Sequence, residues 1–102
     1  MTQFIGFMSI HLLVTFVAKT DKRAAFVDLL SHVRRDLSEA PGCEAVRVLC
    51  NTNDSNVFTL METWESEARH RAHLDKIINS GAWDAMSSHL ASAPSSGYYR
   101  EM

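Results

Sequence analysis

Glu44-Ala-Val-Arg-Val-Leu-Cys-Asn-Thr-Asn-Asp-Ser-Asn-Val-Phe-Thr-Leu-Met-Glu-Thr-Trp64 reads as two strands and the turn between them. Residues 44–50 and 57–64 are rich in β-branched, aromatic and aliphatic side chains. Residues 51–56 contain only Asn, Thr, Asp and Ser, whose short polar side chains bond their own backbone in turns. The two runs are therefore expected to pair antiparallel as a hairpin. Side chains alternate along a strand, so Phe58, Leu60, Glu62 and Trp64 share one face and Val57, Thr59, Met61 and Thr63 the other. A carboxylate on an otherwise apolar face is the feature that asks for a chemical explanation.

Working outward, residues 9–18 (Ser-Ile-His-Leu-Leu-Val-Thr-Phe-Val-Ala) carry almost no charge, as expected of a first strand buried on both faces. Met8 is an alternative start, which would leave residues 1–7 as an N-terminal extension of a single domain spanning 1–102. Thr20 or Asp21 is placed to cap a helix. Phe26, Leu29, Leu30, Val33 and Leu37 recur along it at helical spacing, with Asp28, Arg34, Arg35 and Asp36 on the other side. Pro41-Gly42 ends that helix. After the hairpin, Ser66 can cap a second helix with Ala68, Ala72, Leu74, Ile77 and Ile78, broken near Asn79-Ser80-Gly81 and resumed with Trp83, Met86 and Leu90. Residues 94–97 read as a break and residues 98–102 as a short last strand. The order strand, helix, strand, strand, helix, strand is the ferredoxin-like βαββαβ pattern of an α+β fold, a four-stranded antiparallel sheet with two helices on one face. The other face then has no cover within one chain, and an apolar sheet face of that kind implies a homodimer packed sheet against sheet.

Composition narrows the function classes. Apolar residues at 46% and charged residues at 22% fit an ordinary globular domain. Ten Lys and Arg against twelve Asp and Glu leave a formal charge of -2 with no concentrated basic face, so no nucleic-acid partner is indicated. Residues 4–18 are strongly apolar but fall short of the roughly 20 residues needed to span a bilayer, and no Lys or Arg precedes them as in a secretory signal. The expectation is a cytoplasmic protein with no membrane partner. Cys43 and Cys50, seven residues apart in one strand, would lie roughly 23 Å apart at about 3.3 Å per residue. That excludes a disulfide between them and leaves two reduced packing residues, with no partner at metal-ligand spacing.

Three pieces of the sequence resemble a known family. Glu39-Ala-Pro-Gly-Cys-Glu-Ala-Val-Arg-Val48, Leu60-Met-Glu-Thr-Trp-Glu-Ser66 and Ala72-His73 stand in the order and spacing of the antibiotic biosynthesis monooxygenases, which are dimeric α+β barrels. The resemblance covers about residues 8–90. It implies the fold more sharply than the reaction, since this family contains cofactor-independent monooxygenases of anthrones and quinols, haem-degrading enzymes and enzymes of small signalling molecules.

Within that frame the site residues follow. His73 is the candidate catalytic base, because an imidazole titrates near neutrality and can accept a phenolic or carbon-bound proton. The choice of His73 comes from the resemblance; the apolar stripe Leu74, Ile77 and Ile78 has His70 nearer its centre, and periodicity alone favours His70 as the inward ring. Glu62 would orient His73 or a substrate hydroxyl, and the alternative is a carboxylate paired with an arginine or capping the next helix. Trp64 would supply a flat wall and an N–H donor, or else a core anchor. His11, Phe16 and Met61 are the candidate substrate-binding residues, with His11 facing the cavity beside His73. His32 and His89 have ordinary surface explanations.

The resemblance implies a cofactor-independent monooxygenase: a small aromatic quinol or anthrone is deprotonated and reacts directly with molecular oxygen, without metal or flavin. Two other readings stand beside it. One is a haem-degrading relative, but those carry an asparagine in the first strand and a tryptophan near the position of His73, and this chain has neither. The other is a non-catalytic dimeric module that binds a small molecule.

Overall fold

A computed structural model of the chain describes residues 8–102. The segment 1–7, the extension named above, lies outside the described residues. Strand β1 (Ile10–Val17) leads through a 3-10 turn (Thr20–Lys22) into helix α1 (Arg23–Glu39). Strands β2 (Cys43–Cys50) and β3 (Val57–Trp64) form the hairpin. Helix α2 (Glu67–Asn79), the short helix α3 (Ala82–Ser87) and strand β4 (Ser95–Tyr99) complete the chain. The sheet runs β2-β3-β1-β4 with antiparallel neighbours throughout, which is the ferredoxin-like α+β arrangement.

The core sits between the helices and one sheet face. Leu12, Val14 and Phe16 of β1 and Phe58, Leu60 and Trp64 of β3 are buried there against Phe26, Leu30 and Leu37 of α1 and Met86 of α3. Phe26 is completely buried, with its ring centroid 5.6 Å from those of both Phe16 and Phe58. Burial of one such side chain stabilises the fold by about 1.5–3 kcal/mol, so this aromatic group ties α1 to the two central strands.

Four local expectations are corrected. Strand β1 is buried on one face only: His11, Leu13, Thr15 and Val17 are half-buried, because no element among the described residues lies over that side. Neither Thr20 nor Asp21 caps α1; both lie in the 3-10 turn, where the Thr20 hydroxyl pairs at 3.2 Å with the Asn56 side-chain amide, and Lys22 takes the cap position with no side-chain bond. The last strand forms over Ser95–Tyr99 rather than 98–102. Lys19 N–H donates to the His89 carbonyl and Ala91 N–H to the Val17 carbonyl, each at 2.8 Å, so the chain already lies at the end of β1 when Pro94 is passed. Pairing of Ser95 with Thr15 follows at once. Cys50 is exposed instead of packed; Cys43 is half-buried against the core, and both are free thiols.

The turn that ends α1 also positions α2. Gly42 has φ +86, and a Cβ there would stand 2.7 Å from Cβ and Cγ of Arg69. Only glycine allows that approach without displacing the first turn of α2. Glu65 N–H donates to the Gly42 carbonyl at 2.8 Å and completes the contact.

Candidate functional site

Two short-range rules bring the candidate site together. Glu62 and Trp64 are two apart on β3 and so share its inner face, while His70 and His73 are three apart on α2 and so share one side of that helix. Ser66 fixes where α2 begins, its hydroxyl accepting from Arg69 N–H at 3.2 Å. Both imidazoles thereby reach the same indole: ring centroids lie 5.3 Å from Trp64 to His70 and 5.4 Å from Trp64 to His73.

Trp64 is fully buried and donates its indole N–H to Oε1 of Glu62 at 2.8 Å. Burial pushes the Glu62 carboxyl above the usual carboxylate range, and the indole hydrogen bond offsets part of that rise. His70 is also buried, with Nδ1 2.6 Å from the hydroxyl of Tyr98 on β4. Burial depresses its pKa below the ordinary imidazole value, helped by repulsion from His73 and Arg71 and opposed by Glu67. His73, half-buried, is depressed by burial and then by Lys76, with Asp36 of α1 acting the other way. Near neutral pH both rings are therefore uncharged.

Between the sheet and its helices lies a hollow of about 240 Å³. Leu12, Val14, Phe16, Leu60 and Glu62 line it from the sheet; Leu29, His32, Val33 and Asp36 from α1; His70, His73, Leu74 and Ile77 from α2; Trp83 and Met86 from α3. A mostly hydrocarbon wall with a few convergent polar groups is how small-molecule sites are commonly built. His32 places Nδ1 2.9 Å from the Asp28 carbonyl, which can only accept. Nδ1 of His32 is therefore the donor of this bond. Among the described residues no group of three or more His, Cys, Asp or Glu comes together in a way suited to a metal ion.

The structure brings His73, Glu62 and Phe16 to the hollow. Trp64 is not part of its lining; it stands against both histidine rings as a buried anchor and forms no open wall. Among the described residues no hydrogen bond joins Glu62 to His73; Oε1 of Glu62 accepts from the Trp64 indole instead. His11 and Met61 lie on the opposite face, along an open groove of about 450 Å³ with Arg47, Thr63 and Tyr99. There Nδ1 of His11 is 3.1 Å from the Thr63 hydroxyl, so His11 cannot share a cavity with His73. Strand alternation explains both displacements: His11 and Met61 are an odd number of residues from Phe16 and Glu62, which face the hollow. His70, which periodicity along α2 favours as the inward ring, joins His73 at the hollow, and three residues not assigned to the site from the sequence stand at or beside it: His32, Asp36 and Tyr98. The helical stripe pointed to His70, whereas nothing local pointed to Tyr98, 28 residues away.

No helix among the described residues is long and apolar enough to cross a membrane. The fold is shared widely among solved structures. A conserved protein from Methanosarcina mazei Go1 is 18% identical, with 98% of this chain and 99% of that one covered at a TM-score of 0.89. A candidate antibiotic biosynthesis monooxygenase from Nitrosomonas europaea is 20% identical, with 93% and 91% covered at a TM-score of 0.84. Rv0793 from Mycobacterium tuberculosis is 14% identical, with 92% and 95% covered at 0.82. At these identities the likeness shows the fold alone. No curated protein matches the sequence. The family model described as antibiotic biosynthesis monooxygenase, however, matches residues 9–77, which takes in β1, α1, the hairpin, Trp64 and both histidines of α2. The chain belongs to the antibiotic biosynthesis monooxygenase family.

Proposed function

We propose that this protein is a cofactor-independent monooxygenase of the cytoplasm, oxidising a small aromatic quinol or anthrone-like substrate with molecular oxygen as a single-domain homodimer. One observation carries the reading: an imidazole, His73, lines a mostly hydrocarbon hollow together with a second imidazole, His70, and the Glu62 carboxyl, and burial favours the uncharged form of each. A base that favours its neutral form near physiological pH and is partly shielded from water suits abstraction of a phenolic or benzylic proton. His73 takes that proton. The resulting electron-rich anion supplies the electrons to oxygen, a carbon–oxygen bond forms, and the peroxide protonates and loses water. For an anthrone, the ring methylene and one molecule of oxygen give a ketone carbonyl and one molecule of water, with all electrons drawn from the substrate. Phe16 and Leu60 form apolar walls, and Trp64 braces His73 from behind the lining.

The uncovered face supports the homodimer: Leu49, Met61 and Tyr99 are exposed there and Leu13 and Val17 are half-buried. Two free thiols suit a reducing compartment.

Oxygen uptake by metal-free protein, measured with a panel of reduced quinols and anthrones, tests the reading. Uptake above the spontaneous rate is expected, falling about 100-fold or more in His73→Ala. No uptake above the spontaneous rate across the panel would overturn the enzymatic reading in favour of a small-molecule-binding module. A Soret band on adding haem would favour the haem-degrading relatives.

A further inference from the structure

We infer that Tyr98 is a positioning residue that fixes the tautomer of His70, so that His70 offers Nε2–H to an oxyanion formed in the hollow while His73 removes the proton. The inference rests on the monooxygenase reading for its reaction and on geometry for its assignment. Nδ1 of His70 is 2.6 Å from the Tyr98 hydroxyl. A neutral imidazole has one donor and one acceptor nitrogen, and whichever role Nδ1 takes, Nε2 takes the other. A phenol O–H is far more acidic than a neutral imidazole N–H, so the favoured arrangement has Tyr98 donating to the Nδ1 lone pair. The ring proton then resides on Nε2.

The position of Nε2 follows by elimination. His70 lines the hollow, and among the described residues its side-chain hydrogen bond is the one at Nδ1. No buried side-chain nitrogen or oxygen among the described residues lacks a partner, so unpartnered Nε2 is not sealed in the core. The groups around the ring hold it neutral and fixed. Trp64 of β3 and Tyr98 of β4 meet it edge to face at 5.3 and 5.4 Å, and the Arg71 guanidinium lies 5.5 Å from the centre of the Tyr98 ring. His73, Arg71 and Glu67 are the titratable neighbours on its own helix; the first two disfavour a second proton and Glu67 opposes them.

Neutrality matters for the chemistry. Were His70 also charged, it would be a second acid beside the substrate anion, in addition to the His73 imidazolium formed by proton removal, and would favour return to the unreactive neutral form. A neutral N–H donor stabilises the charge and leaves the carbon nucleophilic. The two histidines then have separate tasks, and Tyr98 keeps them separate.

Three variants and two spectroscopic readouts test this. Long-range ¹H–¹⁵N spectra of the whole protein report which nitrogen of His70 carries the proton; Nε2–H is expected in the wild type and a mixture in Tyr98→Phe. With a substrate from the uptake panel, Tyr98→Phe should lower kcat about tenfold with KM little changed. His70→Ala should lose about 100-fold, and His70→Gln, which retains a donor, should lose less than His70→Ala. Bound 4-nitrophenol should ionise at a higher pH in Tyr98→Phe and His70→Ala than in the wild type. A wild-type Nδ1–H signal would overturn the inference, as would Tyr98→Phe with unchanged kcat and unchanged nitrophenol ionisation. If the wild type consumes no oxygen, the monooxygenase reading fails by itself, and the tautomer and nitrophenol measurements still decide this assignment.

Discussion

The two faces of the sheet are built from the same strands and differ in almost every other respect. On the helix side, Phe58, Leu60, Glu62 and Trp64 are buried, and a hollow with two imidazoles opens between sheet and helices. On the open side, Val57, Thr59 and Thr63 are half-buried and Met61 is exposed; threonine hydroxyls pair across strands, Thr15 with Thr59 at 2.9 Å. A step of one residue along β3 therefore separates a desolvated carboxylate from a thioether in contact with solvent. Chemistry that depends on shifted pKa values is confined to the covered face, because only there does burial remove water from Glu62, His70 and His73.

The strongest way to break this contrast is to truncate one residue on each side. Trp64→Ala should cost about 3–5 kcal/mol in urea unfolding, since it empties a fully buried site and strands the Glu62 carboxylate without its donor. Met61→Ala should cost less than about 1 kcal/mol in the monomer. Equal losses would mean that the faces are not energetically distinct.

Titration sharpens the contrast. The folded pKa of Glu62 is raised, so its contribution to stability is full below about pH 4.5 and is lost as pH rises through the folded value. Glu62→Gln should thus have a higher urea midpoint than the wild type at pH 7, with the gap closing toward pH 4.5. His70 and His73 act in the opposite sense. Their depressed values give stability that is full above about pH 6.5 and lost as pH falls through the folded values. Below about pH 6.5 these rings should lower the wild-type urea midpoint as pH falls, and His70→Gln should flatten that part of the slope. A His70→Gln midpoint that varies with pH just as the wild type's does would remove the claim that the His70 ring is held neutral.

Ser66→Ala, at the helix cap that aims both histidines, should cost about 1 kcal/mol in the same unfolding measurement. The smallest effect on folding belongs to Met61→Asp on the open face. It should leave far-UV circular dichroism unchanged while converting the proposed dimer to monomer in sedimentation; an unchanged mass would show that this face is not the subunit contact.

How far the sequence revealed these features depends on the range of the interaction behind each one. The bounds of β3 were legible to the residue, because alternation and a run of six turn-forming side chains mark both its face and its start. The start of β4 was not, since Ser95, Ser96 and Gly97 have little strand preference and are held there by β1. The same division runs through the site. The Glu62–Trp64 pair lies within one strand face and was visible as an anomaly, although its partner was misjudged. His70 and His73 competed for one inward position when the helix in fact brings both to the hollow. Alternation along β1 puts His11 on the face opposite Phe16, and its polarity there is met by the Thr63 hydroxyl, not by the hollow. Tyr98 depends on a contact between distant segments, which no local pattern records.

Gly81, in the left-handed conformation, separates α2 from α3, and a Cβ placed there would meet nothing within 4 Å. Trp83 and Met86, which line the hollow, ride on the six residues beyond this joint. Lengthening or shortening the joint would therefore resize the chamber as a drawer is resized by moving its back panel. Descendants of one ancestral frame could in this way exchange one guest molecule for another without renegotiating how the chain folds.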